Sequence, residues 1–406
     1  MVLIKNATIA GMGAQRHDIL IHEGVIQRIG KDIDCGACFE VVDAEGLVVF
    51  PGIVDLNVRI RDDILSIPNL EQLYANAKSA GIARFVLSPR VTPLMENQTF
   101  QALLSGRLQE DFPRMHLAIK ALRDEARTKL NHIATLVKNG IDIVQENSDI
   151  NGNLLRRIYE YSKMHRNLFF VFCENQILND SGVMNEGEVS FRLGLPGISK
   201  IGEISETAKV AQMSMHYEVP TLFQALSTRR AVNLVADAKK RFSRLYAEVS
   251  IHHLALDERA CDGFNTYAKL NPPLRSPQDR EELIAKLKEG KIDLLTALHS
   301  PKSVIHKDVA FAEAKYGIDA IADYLPLAYT YLVRAGHIGW DRLAELMAER
   351  PAEILGLEKI GKVAEGYAAN LILFDPAAER RVEEKSSPYH GSMLCGEIVR
   401  VFDGQA

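Results

Sequence analysis

The sequence predicts an α/β fold: an eight-stranded parallel (β/α)8, or TIM, barrel over residues 53–354, joined to a small composite β-domain built from residues 1–52 and 355–406. Three observations predict it. Eight short apolar runs alternate with helix-like segments through the middle of the chain, the pattern of βα units around a parallel sheet. Short strands and tight turns fill the first fifty residues and return in the last fifty, so two half-units from opposite ends are expected to pair. The stretch Pro51-Gly52-Ile53-Val54-Asp55-Leu56-Asn57-Val58-Arg59-Ile60-Arg61-Asp62 reads as a buried strand opening into polar and charged residues at its C-terminal end, where a barrel carries its functional groups.

The N-terminal strands are Val2-Leu3-Ile4, Asp18-Ile19-Leu20-Ile21, Val25-Ile26-Gln27-Arg28-Ile29-Gly30 after a Glu23-Gly24 turn, and Glu40-Val41-Val42-Asp43. Their C-terminal counterparts are Asn370-Leu371-Ile372-Leu373-Phe374-Asp375 and Glu397-Ile398-Val399-Arg400-Val401-Phe402. The barrel strands are expected at 53–60, 83–88, 115–120, 141–145, 168–173, 221–226, 245–251 and 292–297. Between them the clearest helix runs from the cap Ser276 and first-turn Pro277 to the exit at Gly290. Tyr324-Leu325-Pro326-Leu327-Ala328-Tyr329-Thr330-Tyr331-Leu332 reads as a core helix.

Composition narrows the function. A chain of 406 residues, 47% hydrophobic and 25% charged, has material for one large domain and a smaller one. A formal charge of −5 gives no global attraction to nucleic acid or to anionic membranes. The basic runs Arg229-Arg230 and Lys239-Lys240-Arg241 are expected to be a solvated helix face. Met1-Val2-Leu3-Ile4-Lys5-Asn6 lacks the apolar region of a signal peptide and no apolar run reaches membrane-spanning length, so a cytoplasmic protein is expected. Five thinly spread cysteines are expected to be reduced thiols. Cys35-Gly36-Ala37-Cys38 has zinc-ligand spacing but no companion pair.

In a strand, Asn57, Arg59 and Arg61 share a face. If Arg59, Arg61 and Arg90 converge at the barrel mouth they can grip a carboxylate or phosphate; the alternative is that Arg59 and Arg90 form ion pairs with Glu146 or Glu174.

Taken together, Pro51 to Leu56, Asn185-Glu186-Gly187, Glu248-Val249-Ser250-Ile251-His252-His253-Leu254, Lys269-Leu270-Asn271-Pro272-Pro273-Leu274-Arg275 and Gly366-Tyr367-Ala368-Ala369-Asn370-Leu371 resemble, in order and spacing, the dihydroorotases of the cyclic amidohydrolase superfamily. The resemblance implies a metal-dependent-hydrolase barrel with a composite β-sandwich, and hydrolysis of a cyclic amide in pyrimidine biosynthesis with one or two zinc ions. It also exposes departures. The family's first-strand His-x-His falls on Asn57 and Arg59, its fifth-strand histidine on Phe172 and its sixth-strand histidine on Ala225. The aspartate and last histidine of its eighth-strand Asp-His-Ala-Pro-His fall on Leu298 and Lys302. Asparagine is a poor zinc ligand and arginine has no lone pair to offer. A guanidinium about 4 Å from a dication would cost about 8 kcal/mol at an effective dielectric of about 20.

Among substrate-contacting positions Arg61 and Asn271 remain, while the asparagine of a Met-Pro-Asn-Thr motif falls on Arg90. Glu146, Glu174, Glu248, His252, His253 and His299 are read as framework or inherited neighbours rather than a relocated metal site. The resemblance is closest to the non-catalytic dihydroorotase-like polypeptides that assemble with aspartate carbamoyltransferase. It therefore implies a silent homologue without cofactor, a homo- or hetero-oligomer whose partner is the aspartate carbamoyltransferase catalytic chain, with neither nucleic acid nor membrane as partner. The competing implication is an active dihydroorotase or related amidohydrolase with an atypical zinc site. A third is a ligand sensor that keeps Arg61 and Asn271.

Overall fold

The structure, a computed structural model, describes residues 1–34, 36, 40–92, 111–124, 126–138 and 140–404, so Cys35 and Cys38 lie outside the described residues. Seven strands near the two ends of the chain share one sheet. They are β1 (Val2–Ile9), β2 (Arg16–His22), β3 (Val25–Gly30), β4 (Glu40–Asp43), β5 (Val48–Pro51), and, from the C-terminal end, Leu371–Arg381 and Met393–Phe402. Leu371 pairs with Pro51 and Phe374 with Val48, which sews the last fifty residues to the first fifty. Ile4, Ile9, Ile19, Ile26, Val49, Leu371 and Leu373 form its apolar core. The β2–β3 hairpin closes on Glu23-Gly24, both with positive φ, the two-residue turn whose twist suits a hairpin.

The strand β5 is not separable in the sequence, because Val48 to Val58 is almost continuously apolar. Gly52 divides it. A Cβ there would stand 2.8 Å from the Cβ atoms of both Ala83 and Asn370, so only glycine lets the chain pass between sheet and barrel.

The barrel strands are β6 (Ile53–Val58), β7 (Ile82–Leu87), β8 (Met115–Lys120), β9 (Ile143–Asn147) and β10 (Leu168–Phe172). A short pair, β11 (Met184–Asn185) with β12 (Gly197–Ile198), sits in the following loop; β13 (Thr221–Gln224), β14 (Leu245–Ser250) and β15 (Leu294–Thr296) complete the barrel, and the two C-terminal strands become β16 and β17. All eight barrel strands run parallel in chain order. Val54, Leu56, Val86, Ala118, Ile143, Phe170, Leu222 and Leu294 meet with part of Tyr246 in a single cluster to which every strand contributes, the packed interior of a barrel. Ala352, Ile354 and Ile360 join it.

Five barrel strands, β6, β10, β13, β14 and β15, are shorter than the sequence suggests, and one residue links the first and the last of them. Asp55, fully buried, accepts hydrogen bonds from Thr296 Oγ1 (2.7 Å) and the Ala297 amide (2.9 Å). The first and last strands are thus joined by a side chain instead of a ladder. The β6 register against β7 shifts between Asp55 and Val58, Val58 still pairs with Leu87, and the strand ends there as the Arg59 amide bonds the His299 carbonyl (2.8 Å).

The helix Pro277–Lys288 has the capping box of Ser276 with Asp279, and Gly290 follows at φ 71°. Tyr324 to Ala328 and Leu332 are buried as core. Arg229 and Arg230 are exposed in the first turn of the helix Arg229–Lys239, with Arg229 beside Glu282 (3.4 Å). Among the described residues no helix is long and apolar enough to cross a membrane.

A candidate site at the barrel mouth

Past the interior cluster the strands end in polar and charged side chains, and these form short chains of hydrogen bonds. Asn57 Nδ2 donates to Glu248 Oε1 (2.8 Å), which also accepts the Ala225 amide (3.0 Å). Arg90, just beyond β7, donates to Asn147 Oδ1 at the end of β9, and its guanidinium lies over the Phe172 ring at 4.9 Å. Asn147 Nδ2 in turn donates to Glu174 Oε1, and Asn271 Nδ2 to Glu174 Oε2 (3.2 Å). Lys302 Nζ is buried against Asp63 Oδ2 (2.6 Å).

The structure therefore brings Asn57, Arg59, Arg90, Phe172, Ala225, Asn271, Leu298 and Lys302 to the C-terminal ends of the strands or the loops that follow. Arg61 is different. It is exposed at the start of the turn Arg61–Asp63 and lines a recess with Asn69, Gln72, Asn76 and His299. Nor does either arginine pair with a glutamate as the second alternative requires: among the described residues neither Arg59 nor Arg90 lies in an ion pair with Glu146 or Glu174. Glu146 instead accepts the Leu122 and Asn147 amides, with Arg127 at 3.6 Å. Arg90 reaches Glu174 only through Asn147, because an amide can bridge a cation and an anion where the two are too far apart to touch.

The remaining titratable groups are held in fixed roles. His253 bonds Ser250 Oγ and the Pro272 carbonyl, and burial brings its pKa down to about 4. His299 Nδ1 accepts the Ala320 and Ile321 amides (3.2 Å each); burial lowers it to about 4. His252 Nδ1 bonds the Tyr389 hydroxyl (2.7 Å), and burial lowers it to about 3. All three imidazoles are neutral framework at pH 7. Glu248 moves the other way: burial lifts its carboxyl to about 8, against the pull of its bonds from Asn57 and Ala225, and Asp55 nearby adds to the rise. Its Oε2 has no partner.

Zinc, the metal the family resemblance implies, needs histidine, cysteine or carboxylate donors that converge. The residues present do not fit it. Asn57, Arg59, Phe172, Ala225, Leu298 and Lys302 supply a neutral amide, two cations and three hydrocarbon side chains. Glu174 is held by two amides. Among the described residues no three His, Cys, Asp or Glu side chains come together as a metal site.

The motif pieces meet in a framework just behind the mouth. Arg275 Nε donates to Ser227 Oγ (2.9 Å), and its Nη1 to Asn185 Oδ1 (3.2 Å) and the Ile198 carbonyl (3.0 Å). Glu203, from the helix Lys200–Tyr217, accepts the Ser227 amide, both hydroxyls of Ser227 and Thr228, and stands 3.8 Å from Arg275. Gly187 is glycine because a Cβ would lie 2.4 Å from Glu258, which holds Asn185. Glu203 carries no motif signal, and its role emerges only in three dimensions. Glu248 had one: in 245–251 it alternates with Tyr246 and Ser250, an acid on the inward face of a strand.

The comparisons with known proteins agree with this geometry. The model of the amidohydrolase family matches residues 48–402. A dihydroorotase of Ruminiclostridium cellulolyticum is 33% identical over 98% of this chain and 95% of its own length. One of Acetivibrio thermocellus is 32% identical over 94% and 92%. Among solved structures, the L-hydantoinase (dihydropyrimidinase) from Arthrobacter aurescens superposes with a TM-score of 0.86 at 19% identity, covering 100% of this chain and 97% of that one. The dihydropyrimidinase from Brevibacillus agri gives 0.82 at 20% identity, covering 99% and 93%; at such identities these two speak for the fold. The barrel with its attached β-sheet, the framework around Arg275 and the full-length likeness together place the chain in the dihydroorotase family of amidohydrolases.

Proposed function

We propose that this chain is a catalytically silent dihydroorotase homologue of pyrimidine biosynthesis, and that it serves as an assembly partner of the aspartate carbamoyltransferase catalytic chain. One observation carries the first half. At the six positions Asn57, Arg59, Phe172, Ala225, Leu298 and Lys302 there is no side chain able to ligate zinc or to accept a proton at neutral pH, while the Arg90–Asn147–Glu174–Asn271 chain occupies the mouth. Opening a cyclic amide in this family requires a metal-activated water and a base to manage its proton.

The backbone supports the same reading. Ala225 and Leu298 are held at φ 50° and 44°, a left-handed conformation that costs an L-residue roughly 1–2 kcal/mol. Such strain is typical of functional sites and has no local advantage for an alanine or a leucine. The scaffold of a working site persists without its reactive groups. A chain with that combination acts through its surface.

Co-expression with the aspartate carbamoyltransferase of the same organism tests the assembly role. The two chains are expected to elute together from a size-exclusion column, with transferase activity lower or less stable when this chain is omitted. Separate elution with unchanged transferase activity would sink the proposal.

A further inference from the structure

The cations at the mouth are not balanced by the anions beside them. Arg59 makes no side-chain hydrogen bond or ion pair among the described residues, and its Nε is buried without a partner. The charges that face it are Arg90, Lys302, Asp63 and Glu174. Asp63 gives Oδ2 to Lys302 while its Oδ1 has no hydrogen-bond partner, and Glu174 is held by the amides of Asn147 and Asn271. Arg59 therefore faces Arg90, whose guanidinium lies over the Phe172 ring, and among the described residues neither arginine has a carboxylate as an ion-pair partner. The five groups sum to one net positive charge, and burial, with Arg90 adding to it, lowers the pKa of Arg59 to about 10. A half-buried guanidinium whose Nε is buried without a partner and which faces a second guanidinium is poorly placed in the absence of an anion.

We propose that Arg59 and Arg90 form a seat for a small, doubly charged oxyanion, either a phosphate or a short dicarboxylate, at the place where the family's enzymes hold metal. The planar fork of a guanidinium presents paired N–H donors to two oxygens of either ligand, and two forks match a dianion better than a monoanion. Phe172 supports this by its size and its face: it fills the floor and holds the Arg90 plane by a cation–π contact, leaving its remaining donors for a ligand. The inference rests on the same reading of the mouth as a site without metal, but not on the assembly role.

Titration calorimetry of the purified full-length chain in an anion-poor buffer tests it, with inorganic phosphate in one arm and succinate in the other. At least one of the two is expected to bind at a ratio of one per chain and to raise the melting temperature. The arm that binds identifies the source. Arg59→Met and Arg90→Met are each expected to weaken that binding at least about tenfold, the loss of roughly one charge-assisted contact. Without ligand, Arg59→Met is expected to melt at or above the wild-type temperature, since it removes a half-buried cation whose Nε has no partner. Binding of neither anion, binding unchanged in Arg59→Met, or a steep fall in its ligand-free melting temperature would each overturn the proposal. None of these results would bear on co-elution with the transferase.

Discussion

Glu203→Ala is expected to destabilise the chain by about 3–5 kcal/mol, the largest effect of any single substitution away from the apolar core. The carboxylate accepts the Ser227 amide and the hydroxyls of Ser227 and Thr228, and faces Arg275 at 3.8 Å, with both charged side chains under 5% exposed. Alanine leaves two hydroxyls and an amide seeking new partners, and leaves Arg275 as a buried cation whose hydrogen-bond acceptors, Ser227 Oγ, Asn185 Oδ1 and the Ile198 carbonyl, are all neutral. Removing one partner of a buried pair costs that much because the other charge stays behind. Glu203→Gln, which keeps an acceptor oxygen, is expected to cost less than half as much. Urea denaturation of both variants measures the difference. Equal stabilities for wild type and Glu203→Ala would mean that the framework behind the mouth does not depend on this carboxylate.

The second large effect depends on pH. Glu248 has a pKa of about 8 in the folded chain against an ordinary 4.5, because burial inside the barrel disfavours its charged form. The folded state therefore holds a proton that the unfolded chain releases above pH 4.5. The stability linked to this proton is fully present below pH 4.5 and is lost progressively as pH rises to about 8. At about 1.36 kcal/mol per pH unit, that interval corresponds to a loss on the order of 5 kcal/mol. Glutamine in its place keeps an acceptor for Asn57 Nδ2 and the Ala225 amide but cannot ionise. Glu248→Gln is thus expected to melt close to wild type at pH 5 and several degrees higher at pH 8. Melting curves that stay parallel across this range would place the ionisation elsewhere, with Asp55, also raised by burial, as the first candidate.

The barrel could be read from the chain because a strand covered on both faces is a short apolar run, and eight such runs lie between helical segments. Its ends were harder to read. β6 continues as apolar alternation through Ile60, and only the fold shows that the ladder stops at the Val58–Leu87 pair, the next amide, Arg59, bonding the His299 carbonyl. β5 merges with it in sequence, since a buried inner strand of the terminal sheet and a buried barrel strand have the same composition. The loss of ligands was readable position by position, because each missing histidine or aspartate has a place in a motif. What replaced them was not. Arg90 and Asn147 are 57 residues apart, and Asn57 and Glu248 are 191 apart, so no local pattern records either contact. The direction of Arg61 was also hidden, because strand alternation ceases before that residue is reached.

The most direct test of a dismantled site is turnover of dihydroorotate by the purified full-length chain with zinc supplied. The expected result is ring opening at the rate of the zinc-containing buffer alone, whatever the amount of protein. Turnover that rises in proportion to the protein would contradict it, and would show that the mouth of this barrel still assembles a working centre.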